Sequence, residues 1–278
     1  MDSTYVALTL LSAVLHAGWN AAVKASDRAG EVMAAQMVLG AVLALPCLLV
    51  TGLPAAAAWP WIVATCGVSV ITIASMLRAY ELGGFGVVFP MMRAVSVLVV
   101  VPMAAFVANE RLGAYQLAGV ALIAVSLGVL ALGAGRDQAF SLRALAWTLL
   151  AGFTTALYVL CDAQGVRQAG SALAYGFTVS ITNAAAMWWR QRHAGSPLAL
   201  VRRHWALALP VAVASMVGYL LILWVFTKAP IAAASALRDT SAVFAILIAV
   251  IWLKEPMTPT RLLAVLAAAA AVPLLRLT

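Results

Sequence analysis

Charge is what this sequence has least of. Asp, Glu, Lys and Arg make up 9% of its 278 residues, against about 25% in an ordinary soluble domain. Hydrophobic residues fill 65%, more apolar surface than a soluble core of this length can hide, so the expected solvent is lipid and no sizeable soluble domain fits. Cysteine is scarce as well. Cys47, Cys66 and Cys161 all lie in apolar stretches without a CxxC or metal-type spacing, and read as small buried hydrophobes. The three histidines, His16, His193 and His204, are too scattered for a zinc site, and HExxH is absent. There is no GxxxxGK[ST] phosphate cradle, so the chain itself is not expected to hydrolyse ATP. No nucleophile-elbow pattern occurs either. We therefore expect no enzyme, no catalytic residues, no metal and no cofactor. A positively charged leader is missing too: Asp2 precedes the first apolar segment, which points to a retained helix rather than a cleaved signal peptide.

What is present is a series of apolar segments of membrane-crossing length. Ten can be drawn: Thr4–Val23, Val32–Val50, Trp61–Tyr80, Val87–Ala108, Leu112–Leu132, Leu142–Asp162, Ala172–Trp189, Trp205–Thr227, Ile231–Leu253 and Thr258–Leu275. The longest polar loop, RQRHAGSPLALVRRH, separates the seventh from the eighth, and GAGRDQ is the plausible midpoint linker. The chain also repeats itself. Arg93 and Glu110 stand 17 residues apart, as do Arg238 and Glu255, and the two pairs are offset by 145 residues. An Ala/Leu/Val-rich segment follows each pair. Five crossings per half is an odd number, so the halves, residues 1–135 and 136–278, are expected to lie in opposite orientations as an inverted repeat. The fold class expected is an all-α integral membrane protein, with ten transmembrane helices as two inverted five-helix repeats around a central cavity.

The net charge of +8 does not ask for nucleic acid, because Lys and Arg sit mostly near segment ends, where they serve as interface anchors. Their distribution leaves the orientation open. With cytoplasmic termini, the cytoplasmic side would collect only Arg111, Arg167, Lys228 and Arg276, against eleven Lys and Arg residues on the other side. Counting alone therefore favours periplasmic termini.

Two arginines lie about seven residues into the fourth and ninth segments, roughly 10 Å deep. An Arg near the bilayer centre costs about 2.5–3.5 kcal/mol on insertion scales, so each should face a cavity or a partner. Arg93 and Arg238 are thus either an anion-binding pair related by the repeat axis, or members of structural ion pairs with Asp239, Asp162 or Glu81, or snorkelling residues. His16 and Asn20 share one helix face with Trp19 beside it, as a cavity wall or as satisfied polar groups between helices. Tyr80, Tyr158, Tyr175, Asn183, Tyr219 and Trp224 read as cavity candidates or as packing and interface residues. Pro90 should kink the fourth helix. Glu110 and Glu255 should cap the fifth and tenth helices. The connections GGFGVVFP and TKAPIAAAS suggest that the hairpins of segments three–four and eight–nine act as gates.

These residues carry a resemblance. The text AYELGGFGVVFPMMRAVSVLVVVPMAAFVANERLGAYQLAGVALIAVSLGVL is similar to the fourth-and-fifth-helix pattern of the drug/metabolite transporter superfamily, ten-helix EamA type. Pro90, Glu110, Gly119 and Gly128 fall where that pattern has its proline, acidic turn residue and glycines. Glu255 in WLKEPMT echoes it in the second half, and HAGWNAAVK resembles the family's first helix. The resemblance implies a bundle around a central cavity that exports small metabolites across the cell's inner membrane, amino acids foremost and aromatic or hydrophobic ones among them. Ten-helix relatives are generally drawn with cytoplasmic termini, against the charge count. Within transport the rival is an organic-anion or sugar-phosphate carrier, which the Arg pair would suit. A cationic-drug pump fits less well, because the small multidrug relatives embed a Glu in the first helix and Thr4–Val23 has no acid. A non-transporting membrane assembly or lipid-handling subunit is the alternative of another class. The cavity candidates are His16, Trp19, Asn20, Tyr80, Pro90, Arg93, Tyr158, Asn183, Tyr219, Trp224, Arg238 and Asp239. The expected partners are a small-molecule substrate and the lipid bilayer, with no nucleic acid, and the chain is expected to act as a monomer.

Overall fold

The structure, a computed structural model, describes residues 1–83, 85–135, 141–192, 196–251 and 257–276. Among these every α or β element is a helix: α1 (Ser3–Lys24), α2 (Ala29–Thr51), α3 (Trp59–Gly83), α4 (Phe85–Val107), α5 (Ala114–Gly135), α6 (Leu142–Gln168), α7 (Ala172–Gln191), α8 (Pro197–Phe226), α9 (Ile231–Asp239), α10 (Ser241–Ile251) and α11 (Pro259–Arg276). A short 3-10 turn, Ala56–Ala58, leads into α3.

By length and composition eight stretches among the described residues can cross a membrane, and Ala114–Leu130 is a shorter apolar helix. α7 is not among the eight, since Thr178, Ser180, Thr182 and Asn183 dilute its apolar character. The surface is that of a protein solvated by lipid. Leu49, Val50 and Phe106 are each 88% exposed, while Thr9, Ser12, Ser96 and Thr148 are fully buried. Buried hydroxyls need partners where water is absent. Thr9, Thr148 and Thr155 donate to the carbonyl four residues earlier in their own helices, and Ser12 donates across to Gly218 O at 2.6 Å.

Since lipid supplies no hydrophobic drive between helices, close contact comes from small residues. A Cβ at Gly152 of α6 would lie 2.8 Å from the Met92 carbonyl and 2.7 Å from Val95 Cβ, so only glycine lets α6 meet α4 here. α3 packs on α6, α1 on α8, α2 on α7 and α8, and α5 on α11, while α9 and α10 lie against α1. Met1 and the last turn of α11 meet on one face, where the Met1 ammonium donates to Leu275 O and Arg276 O.

The structure departs from the sequence reading in several places. The ninth segment is not one helix: it ends at Asp239, with Thr240 as its C-cap, and α10 starts at Ser241. The Thr240 hydroxyl donates to Leu237 O at 2.6 Å, competing with the helical ladder at that point. α8 begins at Pro197, inside the stretch read as a polar loop, because Ser196 caps it by accepting from Ala199 N and Pro197 occupies its first turn. Glu110 caps a different helix from the one expected. Asn109, at φ 50°, turns the chain, and the Glu110 carboxylate accepts from Ile231 N and Ala232 N at 2.8 and 3.2 Å. It thus caps α9, whose N-cap Pro230 has no side chain to do so. Glu255 lies outside the described residues.

Candidate functional site: a cationic cavity

A cavity of about 190 Å³ opens between α1, α2, α3, α4, α6, α7, α8 and α9. Arg93 and Arg238 both line it, and their surroundings differ. Arg93 projects from α4, 5% exposed, and its Nη1 donates to Asp239 Oδ1 at 3.1 Å. Its Nη2 meets His16 Nε2, and its guanidinium lies over the Phe89 ring, 5.0 Å from the centroid. Asp239 is buried in turn, so this is an ion pair taken out of solvent on both sides.

Arg238 sits in the last turn of α9, where the helix carbonyls favour a cation. Its Nε donates to Ser12 Oγ at 3.2 Å and its Nη1 to the Tyr158 hydroxyl at 3.2 Å, while its Nη2 approaches His16 Nδ1 at 3.5 Å. Among the described residues no carboxylate forms a salt bridge with it. The helix break after Asp239 places Arg238 and Asp239 side by side, one facing the cavity and the other locked to Arg93.

His16 therefore stands between two guanidiniums, one at each ring nitrogen. A neutral imidazole has one acceptor nitrogen and one N–H, and a guanidinium can only donate. His16 can satisfy one of these arginines and must turn an N–H toward the other. The arrangement is short of acceptors by construction, and a carboxylate entering the cavity would supply them.

Asp162 of α6 forms a second polar cluster behind the wall. Its Oδ1 accepts from the hydroxyls of Thr65 (2.9 Å) and Tyr175 (3.1 Å), and its Oδ2 from that of Tyr219 (2.8 Å). Tyr219 also lines the cavity.

Of the candidates named from sequence, the cavity brings together His16, Trp19, Asn20, Arg93, Tyr158, Asn183, Tyr219 and Arg238. Four lie elsewhere. Asp239 is behind Arg93. Pro90 is buried inside α4 without reaching the cavity wall. Tyr80 packs on the apolar core. Trp224 is 40% exposed and lies against Tyr5, with ring centroids 5.6 Å apart. Tyr175 is fully buried against Asp162. Sequence reasoning missed a large part of the wall: Met33, Met37, Met76, Met92 and Met216, together with Gln36, Ser69, Thr72, Ser180 and Ser215. A signal for part of it exists. Thr65, Ser69, Thr72 and Met76 recur at three- and four-residue spacing in apolar α3, a polar stripe that has no reason to face lipid.

An all-helical bundle with an apolar exterior and an internal cavity, lined largely by apolar side chains around two arginines, is the architecture of a multi-pass membrane protein. Residues 142–277 match the EamA-like transporter family, part of the drug/metabolite transporter superfamily. A membrane transporter of small molecules is what that family implies. A solved crystal structure of a protein superposes on this chain with a TM-score of 0.75 at 15% identity, over 99% of this chain and 96% of its own. That likeness is one of fold. Among proteins of curated function none matches the chain in sequence.

Proposed function

We propose that the protein exports small amino-acid-like metabolites, favouring those with apolar or aromatic side chains, by alternating access of two inverted five-helix repeats across the cell's inner membrane. The observation that carries this reading is Arg238, a guanidinium on the cavity wall whose partners are all uncharged. Such a group receives a carboxylate bidentately, with charge-assisted hydrogen bonds. Asn183 supports the other end of a zwitterion: its Oδ1 is buried, lacks a partner among the described residues, and belongs to a cavity-lining residue. The apolar part of the substrate would lie against the five methionines and Trp19, an adaptable wall that tolerates differing side chains. The cavity volume suits a metabolite of this size rather than a large drug.

Support for the repeat comes from packing. Under the 145-residue offset α1 corresponds to α6 and α3 to α8, and the structure packs α3 on α6 and α1 on α8. α2 packs on its own counterpart α7, and α5 on α11. An organic-anion or sugar-phosphate carrier would use both guanidiniums for one substrate, but Arg93 is already neutralised by Asp239. The deciding experiment is counterflow in vesicles preloaded with phenylalanine, leucine, a dicarboxylate or a sugar phosphate. Exchange of the amino acids alone is expected. Exchange of only the multiply charged anions would reverse the assignment, and no exchange of any would sink the carrier reading.

A further inference from the structure

Asp162 is the buried carboxylate that substrate binding, as described so far, leaves unused. It is 1% exposed, nearly two turns before the C-terminal end of α6, and its partners are three hydroxyls, from Thr65 of α3, Tyr175 of α7 and Tyr219 of α8. Within its own helix Tyr158 and Cys161 are its titratable neighbours. α9 contributes Arg238 and Asp239, the former acting on it without contact, and α4 contributes Arg93, held by Asp239. A carboxylate kept in a membrane interior by O–H donors alone differs from the other buried acid, which is locked in an ion pair. A structural role would be served as well by a neutral group, and an ionisable side chain at this depth calls for a function.

We propose that Asp162 is the proton-binding site of the carrier, exchanging one proton for each substrate through the Tyr219 hydroxyl. The mechanism lies in the direction of one hydrogen bond. An ionised carboxylate only accepts, so Tyr219 must donate to Oδ2 and offers its oxygen lone pairs toward the cavity. When a proton from the aqueous side adds to Oδ2, the carboxylate becomes a carboxylic acid and no other bond changes. Its new O–H donates to the Tyr219 oxygen, and the Tyr219 hydrogen turns toward the cavity. The cavity has then exchanged an acceptor for a donor.

This inference rests on the zwitterion assignment above, and that assignment sets its sign. A substrate ammonium, which only donates, is held by Asn183 Oδ1 together with the acceptor form of Tyr219, both on the cavity wall, and is refused by the donor form. Amino acid and proton therefore exclude each other at sites joined by one hydroxyl. Because linkage is reciprocal, each substrate bound displaces the proton. The exchange runs in the direction an exporter in an inward proton gradient requires. A substrate offering only acceptors would reverse the sign and take up a proton on binding.

The test is calorimetric titration of the purified full-length protein with L-phenylalanine, in two buffers of differing ionisation enthalpy and across a pH series. Wild type is expected to release close to one proton per ligand, with affinity rising by up to about tenfold per pH unit over the titrating range. Asp162→Asn places its amide oxygen on the two-donor side and its N–H₂ toward Tyr219, imitating the protonated state. It should bind at the weak level that wild type shows in acid, with no proton release and no pH dependence. Tyr219→Phe keeps the carboxylate and its other two donors while breaking the link, so release should fall by at least half even if the Asn variant folds poorly. Wild-type binding without proton exchange, or full release retained in either variant, overturns the proposal while leaving the function reading intact. If wild type binds no amino acid at all, both fall.

Discussion

Arg93 and Arg238 lie 145 residues apart, at matched depths in their two segments, yet the structure gives them different surroundings, and substitution should separate them. Arg238→Ala removes a guanidinium with neutral partners. It should weaken phenylalanine binding by about ten- to a hundredfold, the equivalent of a charge-assisted hydrogen bond of roughly 1.5–3 kcal/mol, while the melting temperature changes little. Arg238→Lys should fall between, keeping charge but losing the fork. Arg93→Ala instead strands the buried Asp239 carboxylate, so stability should drop by about 3–5 kcal/mol. Adding Asp239→Asn to it should restore much of the loss. Affinity measured together with thermal melting checks both, and equal stability losses at the two positions would refute the division of labour. The matched depth of these arginines was legible in the sequence because an intramembrane guanidinium is costly enough to need a reason. Which of them would find Asp239 was not legible, because adjacency in the chain favours Arg238 and only the fold brings Arg93 across. The five cavity methionines were illegible for the opposite reason, since a methionine in an apolar helix reads as ordinary core.

Elements obey the same logic one level up. Helix existence followed from apolar run length, and most expected bounds fall within a turn or so of the observed ones. The failures are instructive. The break after Asp239 lacks a proline or glycine to announce it, and rests on a buried Thr hydroxyl turning back on its own helix. The start of α8 does carry a signal, Ser196–Pro197, but arginines on either side make the stretch read as loop. Glu110 was identified as a cap, though its helix is 121 residues away in sequence. Because α9 has no other N-terminal side-chain cap, Glu110→Gln should cost about 0.5–2 kcal/mol, the range for losing a helix cap. Helix contact offers a sharper test. With Val95 Cβ at 2.7 Å and the Met92 carbonyl at 2.8 Å from a virtual Cβ, Gly152→Leu should push α6 off α4, displacing Arg93 and lowering folded yield in detergent. Gly128→Leu, where a Cβ meets nothing within 4 Å, should fold as wild type. Equal yields from the two variants would show that close approach at Gly152 does not hold the pair.

At the scale of the molecule the cavity lies between two clasps at opposite ends of the bundle. On the face that carries the termini, Arg167 reaches across from α6, with Nη2 donating to Glu110 Oε1 at 3.0 Å and to Ala229 O at 3.1 Å, and Nε donating to Phe226 O at 2.8 Å. It ties the α4–α5 turn to the α8–α9 turn. On the other face Glu31 at the start of α2 binds Arg203 at 3.1 Å and His204 at 2.9 Å, both on α8, and Arg28 at 3.0 Å. Glu31 and His204 are partly shielded while Arg28 and Arg203 are more than half exposed, so this clasp is worth little in stability and is easily opened. The Glu110 clasp is more buried and includes backbone partners, so it should hold its face shut more firmly. If the carrier alternates, weakening one clasp must expose the cavity from that side alone. A single cysteine at the cavity residue Ser180, in a background lacking Cys47, Cys66 and Cys161, reports this through its labelling by a membrane-impermeant maleimide. Glu110→Gln should speed labelling from the face that bears the termini, and Glu31→Gln from the opposite face. Saturating phenylalanine should slow both, because the ligand occupies the space beside the cysteine. Acceleration from both faces by either substitution would mean that the protein is loosened as a whole. No acceleration from either would place the gates elsewhere.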